Sequence, residues 1–181
     1  MSHSLARPLS HPVLRPALIG AAGIAVLTLS SYVAIPMVPV PVTLQTLAVV
    51  LMGAVLGPRM GAAVVCAWLG LALAAAPVLA GGKTGLVAFA GPTAGYLMSF
   101  PVAAFLAGYL PKGQSLGANG LKLAGFLALH ALILTAGWAW LSMAVGAETA
   151  FVAGVVPFIA GTLLKSALAT AVLAAMPRTK S

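Results

Sequence analysis

The chain has 181 residues, of which 62% are apolar and 6% charged, and its formal net charge is +8. An ordinary soluble domain carries roughly 25% charged residues, so the surface of a water-soluble fold of this length could not be clothed, and a soluble globular protein is excluded. Glu148 is the single acidic residue and no Asp occurs, which removes paired carboxylates, carboxylate metal sites and acid-driven proton relays, and with them most hydrolytic chemistry.

Crossing the hydrocarbon takes about 20 mostly apolar residues per helix. The apolar runs at about 16–35, 43–57, 60–79, 92–110, 120–146 and 150–176 predict six transmembrane helices and an all-α integral membrane protein. The organisation expected is a cytoplasmic segment at 1–15, a six-helix membrane domain at 16–176 and a cytoplasmic tail at 177–181. The first run is long for a signal peptide and is followed by no small-residue cleavage site, so it is kept as helix one. Ala17, Ala21 and Ala25 recur on one stripe of it, a small-xxx-small pattern that permits close approach of another helix, internal or from a partner.

Between helices one and two, Ile35 to Val42 holds Pro36, Pro39 and Pro41. Each lacks an amide hydrogen, so this stretch is expected to be extended. It is also too apolar for water, and is expected to dip back toward the bilayer against protein or a cavity. Thr43, Gln45 and Thr46 follow at the mouth of helix two, where they can cap the helix or bind a polar ligand. Cys66, alone within the third run, can form no disulfide and is read as core packing. The connection from Ala80 to Gly91 is glycine-rich and equally apolar, and together the two loops suggest a lidded pocket on one face. Its Gly82-Lys83-Thr84 resembles the tail of a phosphate-binding loop, but Pro77 stands where the first glycine is needed and no Asp exists to hold magnesium, so an ATPase within this chain is excluded.

The basic residues sort by side. Arg7, Arg15, Arg59, Lys112, Lys122, Arg178 and Lys180 fall on one side and Lys83 with Glu148 on the other, which places both termini in the cytoplasm. Scattered singly, they form no nucleic-acid patch. Tyr32, Tyr96, Trp138 and Trp140 toward the outer ends of their runs, and Tyr109 toward an inner end, read as interfacial anchors among the membrane lipids. His130, mid-run in helix five, has no acid to orient it, so no nucleophilic triad can form and a hydrogen-bonded core histidine is expected. Lys165 lies eight residues after Pro157, about 12 Å down helix six. At that depth an ammonium is expensive, Glu148 is badly placed to pair with it, and the simplest missing counter-charge is an anionic ligand.

Five segments carry a family resemblance: IPMVPVPVTLQTL (35–47), GAVLG (53–57), AGG (80–82), GPTAGYLMSF (91–100) and PFIAGTLLKSALA (157–169). In order along the chain, they resemble the BioY family, the biotin-binding S-components of energy-coupling-factor (ECF) transporters. The resemblance implies an S-component-like bundle in a bacterial plasma or inner membrane. It implies capture of biotin from outside, no enzymatic activity and no bound metal or cofactor, with energy supplied by a T-component membrane protein and ABC-type ATPase subunits. Ala17, Ala21 and Ala25 match the stripe that meets the T-component. Carried over residue by residue, the ligand contacts implied are Thr43, Gln45, Gly82, Lys83, Thr93, Tyr96, Thr162 and Lys165. The family's Asp-x-x-Lys step of helix six departs here, because its acid falls on Thr162. Lys165 then either pairs with biotin's carboxylate or is solvated by polar backbone atoms, or the site has weakened. A stand-alone or homo-oligomeric biotin carrier stays open beside the ECF reading. An intramembrane enzyme is disfavoured by the missing Asp, and a purely structural subunit by two elaborate outer loops around a buried lysine.

Overall fold

The computed structural model describes residues 14–176. Arg7, Arg178 and Lys180, with most of the segment 1–15 and all of 177–181, lie outside the described residues. The elements are α1 (Leu14–Tyr32), β1 (Ala34–Ile35), β2 (Val42–Thr43), α2 (Gln45–Leu56), α3 (Pro58–Leu73), α4 (Gly85–Ala90), α5 (Ala94–Ala107), α6 (Leu116–Val145), α7 (Ala147–Gly154) and α8 (Ile159–Ala175). One-turn 3-10 helices stand at Ala80–Gly82 and Val156–Phe158.

The chain is mainly helical, as its apolar runs require, and the departures have local causes. Helix one stops at Tyr32 rather than 35, because the proline segment begins there and turns back on itself. Its ends pair as an antiparallel ribbon, Ala34 with Thr43 and Ile35 with Val42, while Pro36, Pro39 and Pro41 sit in the connecting loop, where no ladder amide is needed. The third run ends at Leu73 instead of 79. The sixth is interrupted: α7 ends at Gly154, Pro157 cannot supply an amide to continue the ladder, and α8 restarts at Ile159. α6 starts at Leu116, earlier than 120, because the Ser115 hydroxyl accepts the Ala118 amide at 3.2 Å and caps it. Lys122, read beside the loop at the start of the fifth run, is therefore further inside α6, 1% exposed, with Nζ donating to Asn119 Oδ1 at 3.0 Å.

Three stretches, Leu14–Tyr32, Leu116–Val145 and Ala147–Ala175, are long and apolar enough to cross a bilayer, and α2, α3 and α5 are shorter apolar helices. Apolar side chains cover the outside: Leu18, Leu29, Val87, Met143 and Leu164 are all exposed, as suits a surface wetted by lipid. Cys66 belongs to that surface, which corrects its placement in the core. Ala17, Ala21 and Ala25 are exposed as well, while α1 turns Gly23, Leu27 and Ser31 inward.

α5 is the central helix, packed by α2, α3 and α6. Trp68 of α3 stacks on Phe100 of α5 with ring centroids 6.3 Å apart. Gly53, in the GAVLG run, is where α2 and α5 touch backbone to backbone: a Cβ there would collide with the Ala104 carbonyl, an obstacle that no rotamer change can relieve. These close crossings bring the mouth of α2, the start of α5 and the middle of α8 around one space.

Candidate ligand-binding site

The deep end of that space is built by α8. Thr162, Lys165 and Ser166 follow at spacings of three and four, so one helix face carries all three. Lys165 is 8% exposed, and its Nζ donates to Thr46 Oγ1 of α2 at 3.2 Å. Among the described residues neither Glu148 nor backbone atoms meet the ammonium; a hydroxyl 119 residues away in sequence does. Ser166 is fully buried, and its Oγ lies 3.1 Å from Nδ1 of His130 on α6, which in turn is 2.9 Å from the Phe126 carbonyl oxygen. His130 is thus a hydrogen-bonded core histidine, as expected, but it also lines the cavity.

The walls come from the start of α2 and from α5. Thr43 Oγ1 accepts the Gln45 amide at 3.3 Å, and Gln45 Nε2 donates to Ser31 Oγ at 2.8 Å. Holding the α2 entrance and lining the cavity are therefore one role, since both side chains face the same space. Tyr96 is 6% exposed, which corrects its reading as an interfacial anchor. Its ring lies over Gly137, whose missing side chain leaves the room, and stacks on Phe158 with centroids 6.1 Å apart. Its hydroxyl donates to the Gly154 carbonyl at 2.7 Å, bracing α5 against the end of α7. Tyr32, Trp138 and Trp140 likewise give their polar tips to backbone carbonyls of Pro77, Ala147 and Gly91.

Lys83 is exposed and stands at the rim, while Val40 and Pro41 of the proline loop and the neighbouring Leu79 and Ala80 also line the cavity. Gly82 does not line the cavity. With Gly81 it adopts φ near +69° and +66°, the left-handed region that favours glycine, and the resulting turn presents Lys83 to the rim. Thr93 completes this end. Of the sequence-predicted ligand residues, Thr43, Gln45, Lys83, Thr93, Tyr96, Thr162 and Lys165 are thus brought to one cavity. Thr46, read with Thr43 and Gln45 as able to cap the helix or bind a polar ligand, joins them, as do His130, Leu97, Phe100, Ile133, Leu134 and Phe158, which no pattern in the sequence separates from ordinary packing.

Counted together with the open solvent at its mouth, the space amounts to about 680 Å³. Among the described residues two lysines and no carboxylate line it, so it suits a small molecule with an apolar body, hydrogen-bonding groups and a negative end.

The model of the BioY family matches residues 2–181. The chain belongs to the BioY family. Among BioY relatives, a probable biotin transporter of Pyrococcus horikoshii is 36% identical over 81% of this chain and 86% of its own length. The biotin transporter of Rhizobium etli is also 36% identical, over 82% and 84%. The fold matches a crystal structure of the S-component for biotin from an ECF-type ABC transporter, with a TM-score of 0.80 and 28% identity over 92% of this chain and 93% of that one. BioY is thus a family of membrane transporters rather than enzymes.

Proposed function

We propose that the chain is the substrate-capture subunit of a biotin uptake transporter in a bacterial plasma or inner membrane. Biotin enters from outside and is capped by the proline loop and the Ala80–Gly91 loop. The observation that carries the reading is the convergence, in a BioY-family chain, of Thr43, Gln45, Lys83, Tyr96, Thr162 and Lys165 on one cavity without a carboxylate. A neutral ureido ring belongs at the buried end, beside Lys165, Thr162 and His130, and the valerate carboxylate at the rim with exposed Lys83. This orientation leaves the anion in contact with water, and stripping a carboxylate of water costs more than burying a neutral urea. The reading rests further on the similarity to relatives named biotin transporters. Purified protein titrated calorimetrically with biotin should bind one equivalent tightly; the absence of binding in folded protein overturns the assignment.

In this reading the three long stretches and the short helices α2, α3 and α5 make six crossings, with both termini cytoplasmic. Arg15, Arg59 and Lys112 then lie inside and Lys83 outside. In a Cys66→Ala background, a cysteine at position 83 should react with an impermeant maleimide in intact cells, and cysteines at 59 and 112 should be protected. The reverse pattern would turn the pocket inward. The exposed Ala17, Ala21 and Ala25 stripe is the surface on which a T-component, with its ATPases, docks.

A further inference from the structure

We infer that His130 touches the bound molecule directly, its Nε2 accepting a hydrogen bond from a ring N–H of a urea-type ligand. The inference rests on the proposed biotin reading of the cavity.

The argument begins with the other ring nitrogen. Nδ1 is 2.9 Å from the Phe126 carbonyl oxygen, which can only accept, so the hydrogen of a neutral imidazole is held on Nδ1. Ser166 Oγ at 3.1 Å from the same nitrogen fixes the ring from the α8 side. Nε2 is then a lone-pair acceptor. It is buried, the residue being 2% exposed, it has no partner among the described residues, and the ring lines the cavity. An imidazolium there would share the cavity with the Lys83 and Lys165 ammonium groups and no acid, so the neutral ring is the form that fits.

Donors outweigh acceptors around this space. The two lysines can only donate, Thr46 Oγ1 already accepts from Lys165, and Gln45 and Thr43 are bonded to each other and to Ser31. A urea presents one carbonyl acceptor and two N–H donors. Lys165 can serve the carbonyl and the Thr162 hydroxyl can accept one N–H, but the second N–H needs another acceptor, and burying it unmatched is costly. His130 stands where that acceptor is required: its partner Ser166 adjoins Lys165 and lies one turn beyond Thr162.

Calorimetry on the purified protein with biotin, and with its two isomers methylated on one or the other ureido nitrogen, tests the contact. His130→Asn keeps an amide donor for Phe126 but removes Nε2, whereas His130→Gln places an amide oxygen near the lost Nε2. His130→Asn should weaken biotin binding about tenfold or more, and His130→Gln should recover part of it. For the isomer whose methyl replaces the accepted hydrogen, His130→Asn should cost little further; for the other isomer it should cost as much as for biotin. Biotin binding by wild type and His130→Asn alike, or equal losses for all three ligands without recovery by Gln, overturns the contact alone. Wild-type protein that binds no biotin overturns the reading of the cavity and this inference with it.

Discussion

Lys165→Met should weaken biotin binding by about 100-fold while making the ligand-free protein more resistant to heat. The two effects have one origin. The ammonium is buried and has a single neutral partner among the described residues, the Thr46 hydroxyl, with no acid in the cavity lining. Removing a buried charge that is only partly compensated is neutral or stabilising, by about 1–4 kcal/mol where a well-packed apolar side chain takes its place. Met has a similar reach and fills the same space. In the complex, two of the three N–H groups remain for the ligand, and a hydrogen bond from a charged donor is worth about 1.5–3 kcal/mol, or roughly 10- to 150-fold in affinity. A melting curve in detergent and a biotin titration read the two signs separately. Unchanged affinity would make the lysine a bystander. Biotin methyl ester adds the orientation. With the carboxylate at exposed Lys83, esterification should cost only the few-fold expected of a surface pair, and by the same factor in wild type and Lys165→Met. If the preference for biotin over its ester disappears in Lys165→Met, the carboxylate lies at Lys165 and the ligand is reversed.

What can be read from the sequence divides along a physical line. The apolar runs, the extended proline segment and a lysine stranded in an apolar helix are legible because each violates the chemistry of water or of hydrocarbon locally. Partners far apart in sequence are not. Nothing marks Thr46 as the group that meets Lys165, or Ser166 as the one that holds His130, because those pairs exist only once α2, α6 and α8 are packed. Hydropathy also cannot tell a lipid-facing side chain from a core one, since a bilayer does not penalise exposed apolar surface. For that reason Cys66 reads as core and lies outside, and Tyr96 reads as an interfacial anchor and is buried. Lys122 shows the converse. Its charge marks a helix start beside a loop, but composition gives no weight to a helix cap upstream, and Ser115 starts α6 before 120, so the lysine sits further from the helix end and is buried.

Thr162→Asp should tighten biotin binding by about three- to tenfold. Position 162 lines the cavity one turn before Lys165, so an acid there faces the same ligand and the same ammonium. Toward the ligand, a carboxylate accepts a ureido N–H more strongly than a hydroxyl does, a gain of about 1 kcal/mol, or roughly fivefold. Toward Lys165, it supplies the counter-charge that the native chain lacks, so the empty protein should also melt higher. The opposing effect is repulsion of any anion near Lys165. With the valerate carboxylate at Lys83 that repulsion acts across the length of the ligand and is small; with the carboxylate at Lys165 it acts at contact and dominates. A loss of tenfold or more in folded Thr162→Asp protein would therefore reverse the proposed orientation. The double mutant with Lys165→Met completes the cycle: an Asp left without its ammonium is an uncompensated buried charge, so the two substitutions should be strongly non-additive in both stability and affinity. Strict additivity would mean that Thr162 and Lys165 do not act on one site, and the cavity could not then hold biotin as described.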